Sequence, residues 1–128
     1  MEFDIAPASP VPIYRQIVEQ VRRLVAGGQL KPGEELPSVR AVAQLHAINP
    51  MTVSKAYSML ETEGLLVRRR GVGMAVADGQ GGAAPVDKAA LLRPALEAAA
   101  QTAHQLGFTT AEALQLFEEY LNRKQTHE

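Results

Sequence analysis

The chain has 128 residues, no cysteine, a hydrophobic fraction of 46% and a formal net charge of −1. That size allows one domain, or a small domain with an appendage, and the apolar share allows a modest core. The missing thiols exclude a disulfide framework, thiolate metal sites and a cysteine nucleophile. No apolar run reaches membrane-spanning length and no cationic-then-apolar leader opens the chain, so a cytoplasmic protein with no membrane partner is expected.

In chain order, "PIYRQIVEQVRRLVAGG" sets Ile13, Ile17, Val18, Val21, Leu24 and Val25 on one stripe, which predicts a first helix stopped at Gly27-Gly28. "KPGEELP" predicts a Pro32-Gly33 turn and a short extended piece around Leu36. Ser38 is the expected N-cap of a second helix, "SVRAVAQLH", burying Val39, Val42 and Ala43. A break at Ala47-Ile48 leads to a third helix with Asn49 as N-cap, Pro50 as first helical residue and Gly64 as stop. Val53, Ala56, Tyr57 and Leu60 form its inward stripe, while Thr52, Lys55 and Ser58 lie on another face with Ser54 at its edge. "LLVRRRGVGMAVA" predicts two short strands around a Gly71-Val72-Gly73 turn. Three helices followed by a hairpin is the order of a winged helix-turn-helix.

Residues 78–85, "DGQGGAAP", form a glycine-rich linker between a domain at 1–77 and a segment at 86–128. Beyond the linker, Leu92, Leu96, Ala99, Ala103 and Leu106 make a narrow seam suited to another helix, with Pro94 in an early turn or at a kink. Gly107 stops that helix, Thr109 with Glu112 spells a capping box, and Leu114, Phe117 and Leu121 stripe a last helix. The fold class expected is mostly α with a small β-hairpin, a winged helix-turn-helix plus a two-helix dimerisation appendage.

Charge is divided along the chain. Residues 1–77 carry nine Lys/Arg against seven Asp/Glu, residues 78–128 carry four against seven, and residues 38–71 carry five basic against two acidic. A cationic patch of this kind matches an anionic partner better than the overall charge suggests. A second helix, a tight turn and a third helix can place the third in a DNA major groove. Its groove face must be slim, hydrogen-bonding and free of acid. Asn can read adenine, Lys can read guanine or bind phosphate, and Ser or Thr can do either job. Arg40 can reach the backbone or the groove floor, and Arg68, Arg69 and Arg70 precede a glycine turn that permits close approach to a sugar-phosphate edge.

The elements "LKPGEELPSVRAVA", "NPMTVSKAYSMLETEGLL" and "RRGVG" together resemble the DNA-binding domain of GntR-family bacterial transcription regulators, over residues 10–77. The short two-helix tail is similar to that of the YtrA subfamily, usually associated with control of transporter operons. Carried over by this resemblance, contacts to double-stranded operator DNA would fall on Ser38, Arg40, Asn49, Pro50, Thr52, Ser54 and Lys55, and on Arg70 and Gly71 in the wing. Ser54 stands where other branches of the family often place an arginine, and Ala75 where a bulky aromatic often sits.

Three function classes compete. A sequence-specific regulator, acting as a homodimeric repressor, uses every feature. A winged helix used only for protein contacts leaves the arginine wing and polar helix idle. An enzyme lacks a nucleophile–base pair: the three histidines are scattered at no ligand spacing, so neither metal nor other cofactor is expected, and adjacent glutamates on a helix point apart. A tail of this length hardly encloses a ligand pocket, so any small-molecule effector would bind between subunits or be absent.

Overall fold

The computed structural model describes residues 1–78 and 88–125. In chain order the elements are α1 (Ile13–Ala26), α2 (Val39–His46), α3 (Pro50–Thr62), β1 (Leu66–Arg69), β2 (Gly73–Val76), α4 (Lys88–Gln105) and α5 (Thr110–Gln125). They fall into two compact units, Met1–Lys88 and Ala89–Glu128. Residues 79–85 of the expected linker lie outside the described residues.

In the first unit the inward stripe of α3 is covered as the spacing predicts: Val53, Ala56 and Leu60 have no exposure and Tyr57 almost none. Helix α1 lays Ile17, Val18 and Val21 on this core, α2 adds Val42 and Ala43 with Val39 half-buried, and Leu66, Met74 and Val76 close it from the hairpin. The Tyr57 hydroxyl donates a 2.6 Å hydrogen bond to the Pro37 carbonyl, one residue before the cap of α2, and so pins the start of α2 to α3. Arg22 of α1 makes a two-pronged contact with Glu63 at the end of α3, at 2.9 and 2.5 Å. The resulting body is a winged helix-turn-helix.

The wing is β1 paired antiparallel with β2, with Leu66 opposite Val76 and Arg69 opposite Gly73. The turn is therefore residues 70–72, one position earlier than expected, because Gly73 already belongs to the ladder. The extended piece around Leu36 adds a third edge: Leu36 N–H donates to the Met74 carbonyl at 2.9 Å, Gly33 N–H to Val76 at 2.8 Å, and Val76 N–H to Glu34 at 2.8 Å. Ala75, opposite Glu35, has no exposure, so its small side chain is fully covered in the wing.

An unforeseen strap runs along α1. Phe3 is buried beside Tyr57, their ring centroids 6.4 Å apart. The Gln20 side chain holds Asp4 through both its N–H and its carbonyl, at 2.9 and 2.5 Å, and Gln16 does the same for Ala6, at 2.9 and 3.0 Å. Two glutamines one helical turn apart thus stand in for a neighbouring strand.

In the second unit α4 runs unbroken through Pro94. Gly107, at φ 81°, ends it, and Phe108 N–H returns to the Ala103 carbonyl at 3.0 Å. The capping box forms: Glu112 N–H donates to Thr109 Oγ1 at 3.1 Å, and Thr109 N–H to Glu112 Oε1 at 2.9 Å.

Burial raises the Tyr57 phenol above its ordinary range. A raised folded-state pKa contributes stability that is full below the unfolded value of about 10 and is lost as pH climbs through the folded one. Tyr57→Phe should cost about 1 kcal/mol at neutral pH, by orphaning the Pro37 carbonyl. The variant should then lose less stability than the parent between about pH 8 and about pH 11, measured by urea unfolding.

Candidate nucleic-acid interface

The two caps that set this interface are made by residues expected to touch DNA. Ser38 Oγ accepts from Ala41 N–H at 3.0 Å, and Asn49 Oδ1 accepts from Met51 N–H at 2.9 Å. Each cap satisfies a backbone donor that the helix itself cannot, and Pro50 at the first helical position removes another. The Asn49 amide keeps its NH₂ group for donation. The cap uses one of the two lone pairs of Oδ1, so one acceptor site also remains beside the donors. The Ser38 hydroxyl likewise keeps its proton to give.

Between the helices the chain turns at Ala47, a left-handed residue at φ 54°, while Ile48 N–H bonds to the Ala43 carbonyl at 3.0 Å. An L-residue in this conformation costs roughly 1 kcal/mol, so the angle between α2 and α3 is held against local strain. Arg40, Ser54 and Lys55 are exposed and Thr52 is half-buried at the flank of α3. No acidic residue occupies the first turn of α2 or α3.

Lys55 is not simply solvated. Its ammonium lies 4.0 Å from the centre of the Tyr14 ring on α1, a cation–π contact that restrains the long side chain. Tyr14 was not among the residues expected at the interface. The available signal was an aromatic in the first turn of α1, at the head of its apolar stripe, which packs partly against the core and leaves its ring within reach of Lys55.

The arginine run divides by its neighbours. Arg68 pairs with Glu61 at 3.4 Å and Arg69 with Asp78 at 3.6 Å, whereas Arg70 has no carboxylate partner among the described residues, and neither has Arg40. Both of these pairs are largely exposed, and such pairs contribute roughly 0–1 kcal/mol, so a phosphate can compete for either arginine at little cost. Gly71, at φ 79°, has open space where a side chain would stand, and the wing tip stays slim.

The seam residues of the second unit show a different environment. Leu92, Leu96, Ala99, Ala103 and Leu106 of the α4 side share one apolar concavity with Leu114 and Phe117 of α5. Leu121 lies further along α5 and is also exposed. Among the described side chains of this unit only Ala103 and Ala113 are even partly buried.

Comparison with known proteins gives a consistent result. Residues 13–76 match the family described as bacterial regulatory proteins, gntR family. The HTH-type transcriptional repressor YtrA of Bacillus subtilis (strain 168) is 46% identical over 76 residues, which span 59% of this chain and 58% of that relative. The transcriptional regulator YhcF of the same organism is 38% identical over 109 residues, covering 84% of this chain and 88% of its own length. A solved structure of YtrA from Sulfolobus acidocaldarius, a GntR-family transcription factor, superposes with a TM-score of 0.54 at 29% identity, covering 94% of this chain and 97% of that one.

The caps predict a separable effect. Asn49→Ala and Ser38→Ala should each lower stability by about 1 kcal/mol, whereas Asn49→Asp, which keeps the accepting oxygen and adds negative charge at the helix start, should unfold at or slightly above the parent's denaturant midpoint.

Proposed function

The chain belongs to the GntR family of bacterial regulatory proteins, and from that premise we propose that it is a transcription repressor that binds a palindromic operator as a homodimer. The observation that carries this reading is the two-sidedness of α3, with one face wholly buried and the other presenting Lys55 and small polar side chains, with no acid in the first turn. Arg40, Asn49, Thr52, Ser54 and Lys55 are the groove contacts, with Ser38 and Pro50 at the helix starts. Arg68, Arg70 and Gly71 in the wing meet the sugar-phosphate edge. A transporter operon is the proposed target, as the resemblance of the two-helix tail to the YtrA subfamily implies. The site of action is the cytoplasm, and no helix among the described residues is long and apolar enough to cross a membrane.

Dimerisation is supported by the second unit. Leu92, Leu106, Leu114 and Leu121 are each at least half exposed, and Leu96 and Phe117 only slightly less. A monomer rarely leaves a contiguous apolar patch above a few hundred Å² in water. Two copies of the α4–α5 pair packed as four helices would remove this surface and hold two reading heads at one spacing. A two-fold site is then the matching DNA.

Gel shifts on duplex DNA from upstream of the protein's own gene, across a salt series, test the reading. Arg40→Ala and Lys55→Ala should each weaken operator binding by about 1–3 kcal/mol. Arg40→Ala should keep the parent's melting temperature, and Lys55→Ala should lower stability by only about 0.5–1 kcal/mol, through its contact with Tyr14. Arg70→Ala should weaken operator and random DNA alike and flatten the salt dependence by about one unit. Parent-like operator binding by all three would refute the groove and wing assignment.

Light scattering tests the assembly. Full-length protein at micromolar concentration should have the mass of two chains, and Leu96→Glu with Phe117→Glu should halve it. A parent that stays monomeric would remove the case for a two-fold operator.

A further inference from the structure

The most exposed large apolar side chain on α3 belongs to a residue with no role so far. Met51 is 77% exposed in the first turn of the helix. Helical geometry puts it almost opposite the buried stripe, and Lys55, four residues on, stands in the same row. Its backbone is fixed by the Asn49 cap, which accepts the Met51 N–H at 2.9 Å, and by Pro50 before it. The side chain therefore starts from a defined point on the solvent face. A methionine there has no packing role within the described residues.

We propose that Met51 is a specificity-determining residue that reads the 5-methyl group of a thymine in the operator. The inference rests on the groove reading of α3 given above. In that pose the first turn of the helix meets base edges, and Met51 projects ahead of the polar residues that flank it. The thymine methyl is the one apolar group that the base pairs display on the floor of the major groove. A thioether has no strong hydrogen bond to offer, but its unbranched, polarizable chain packs well against a methyl. Asn49, Thr52, Ser54 and Lys55 can serve donors and acceptors at neighbouring positions; of these only Thr52 carries a methyl, and it is half-buried at the flank of the helix, whereas Met51 stands 77% exposed.

The test removes only that methyl. Duplexes enriched by the parent protein from a random-sequence pool are resynthesised with each thymine in turn replaced by deoxyuridine, which keeps base pairing and the groove hydrogen-bonding pattern. At one thymine of the half-site, the parent should lose about fourfold in affinity, the scale expected for one buried carbon. Met51→Ala should bind thymine and deoxyuridine duplexes equally, and Met51→Leu should keep most of the discrimination. Melting curves of the variants should overlay the parent's, since the side chain is in water. If no replacement weakens the parent, or if the sensitive thymine matters equally to Met51→Ala, the assignment to Met51 is overturned while the regulator reading stands. If the parent enriches no sequence at all, that reading fails and this one falls with it.

Discussion

Everything the first unit presents to solvent depends on the complete burial of one stripe of α3. With Val53, Ala56, Tyr57 and Leu60 all covered, the helix cannot rotate about its axis without exposing large apolar side chains. Fully burying one such side chain is worth roughly 1.5–3 kcal/mol, so a rotated state is far out of reach. Helices α1 and α2 and strand β1 all pack on α3, and each contact fixes the same orientation. The outward row of Met51, Lys55 and Ser58 follows from this burial. The polar bonds then refine what the apolar contacts set: Tyr57 to Pro37 locates α2, and Arg22 to Glu63 locks α1 to the far end of α3.

What the sequence made legible was periodic or local. The α3 stripe, the Ser38 and Asn49 caps, the Thr109–Glu112 box and the hairpin all depend on spacings of a few residues, and each formed. What it left hidden was made by residues distant in the chain. Phe3 reaches the core only because Gln16 and Gln20 hold the strap, and neither glutamine differs in type from a solvated one. The third edge of the wing joins Glu34–Leu36 to a hairpin some forty residues on, as shown by the bonds at 2.8 and 2.9 Å. Of the candidate interface, the residue types and the groove face were readable. Which arginines carry a carboxylate neighbour, and that Lys55 rests on Tyr14, were not, since both depend on how separate elements pack.

The second unit is the reverse case. Its seam was readable from the spacing of leucine and alanine, and the end of α4 and the start of α5 are well made. Yet the pair has no interior of its own, because almost every described side chain in it is exposed. Helices of this length are marginal in water by propensity alone and take most of their stability from packing an apolar face. A helix pair whose facing ends are capped but whose described side chains are almost all bare is therefore incomplete as a folding unit. On the proposed reading, a second copy supplies the missing half.

Of the five helices among the described residues only α5 carries an acidic residue in its first turn, while α1, α2, α3 and α4 carry none. A helix N-terminus carries partial positive charge, and an acidic residue in the first turn stabilises it by about 0.3–1 kcal/mol. Helix α5 uses this device: Glu112 sits in its first turn, and its backbone and side-chain hydrogen bonds with Thr109 hold the carboxyl below the usual range. Helices α2 and α3 forgo it, with neutral Ser38 and Asn49 as caps and no acid in either first turn. Stability alone would favour an acidic residue there at no cost to the core. A carboxylate at those positions would repel a phosphate backbone, whereas the uncompensated positive ends attract one. On the proposed reading, the neutral caps give up local stability at the two helix starts that would meet an anionic partner, and α5, in the second unit, keeps it.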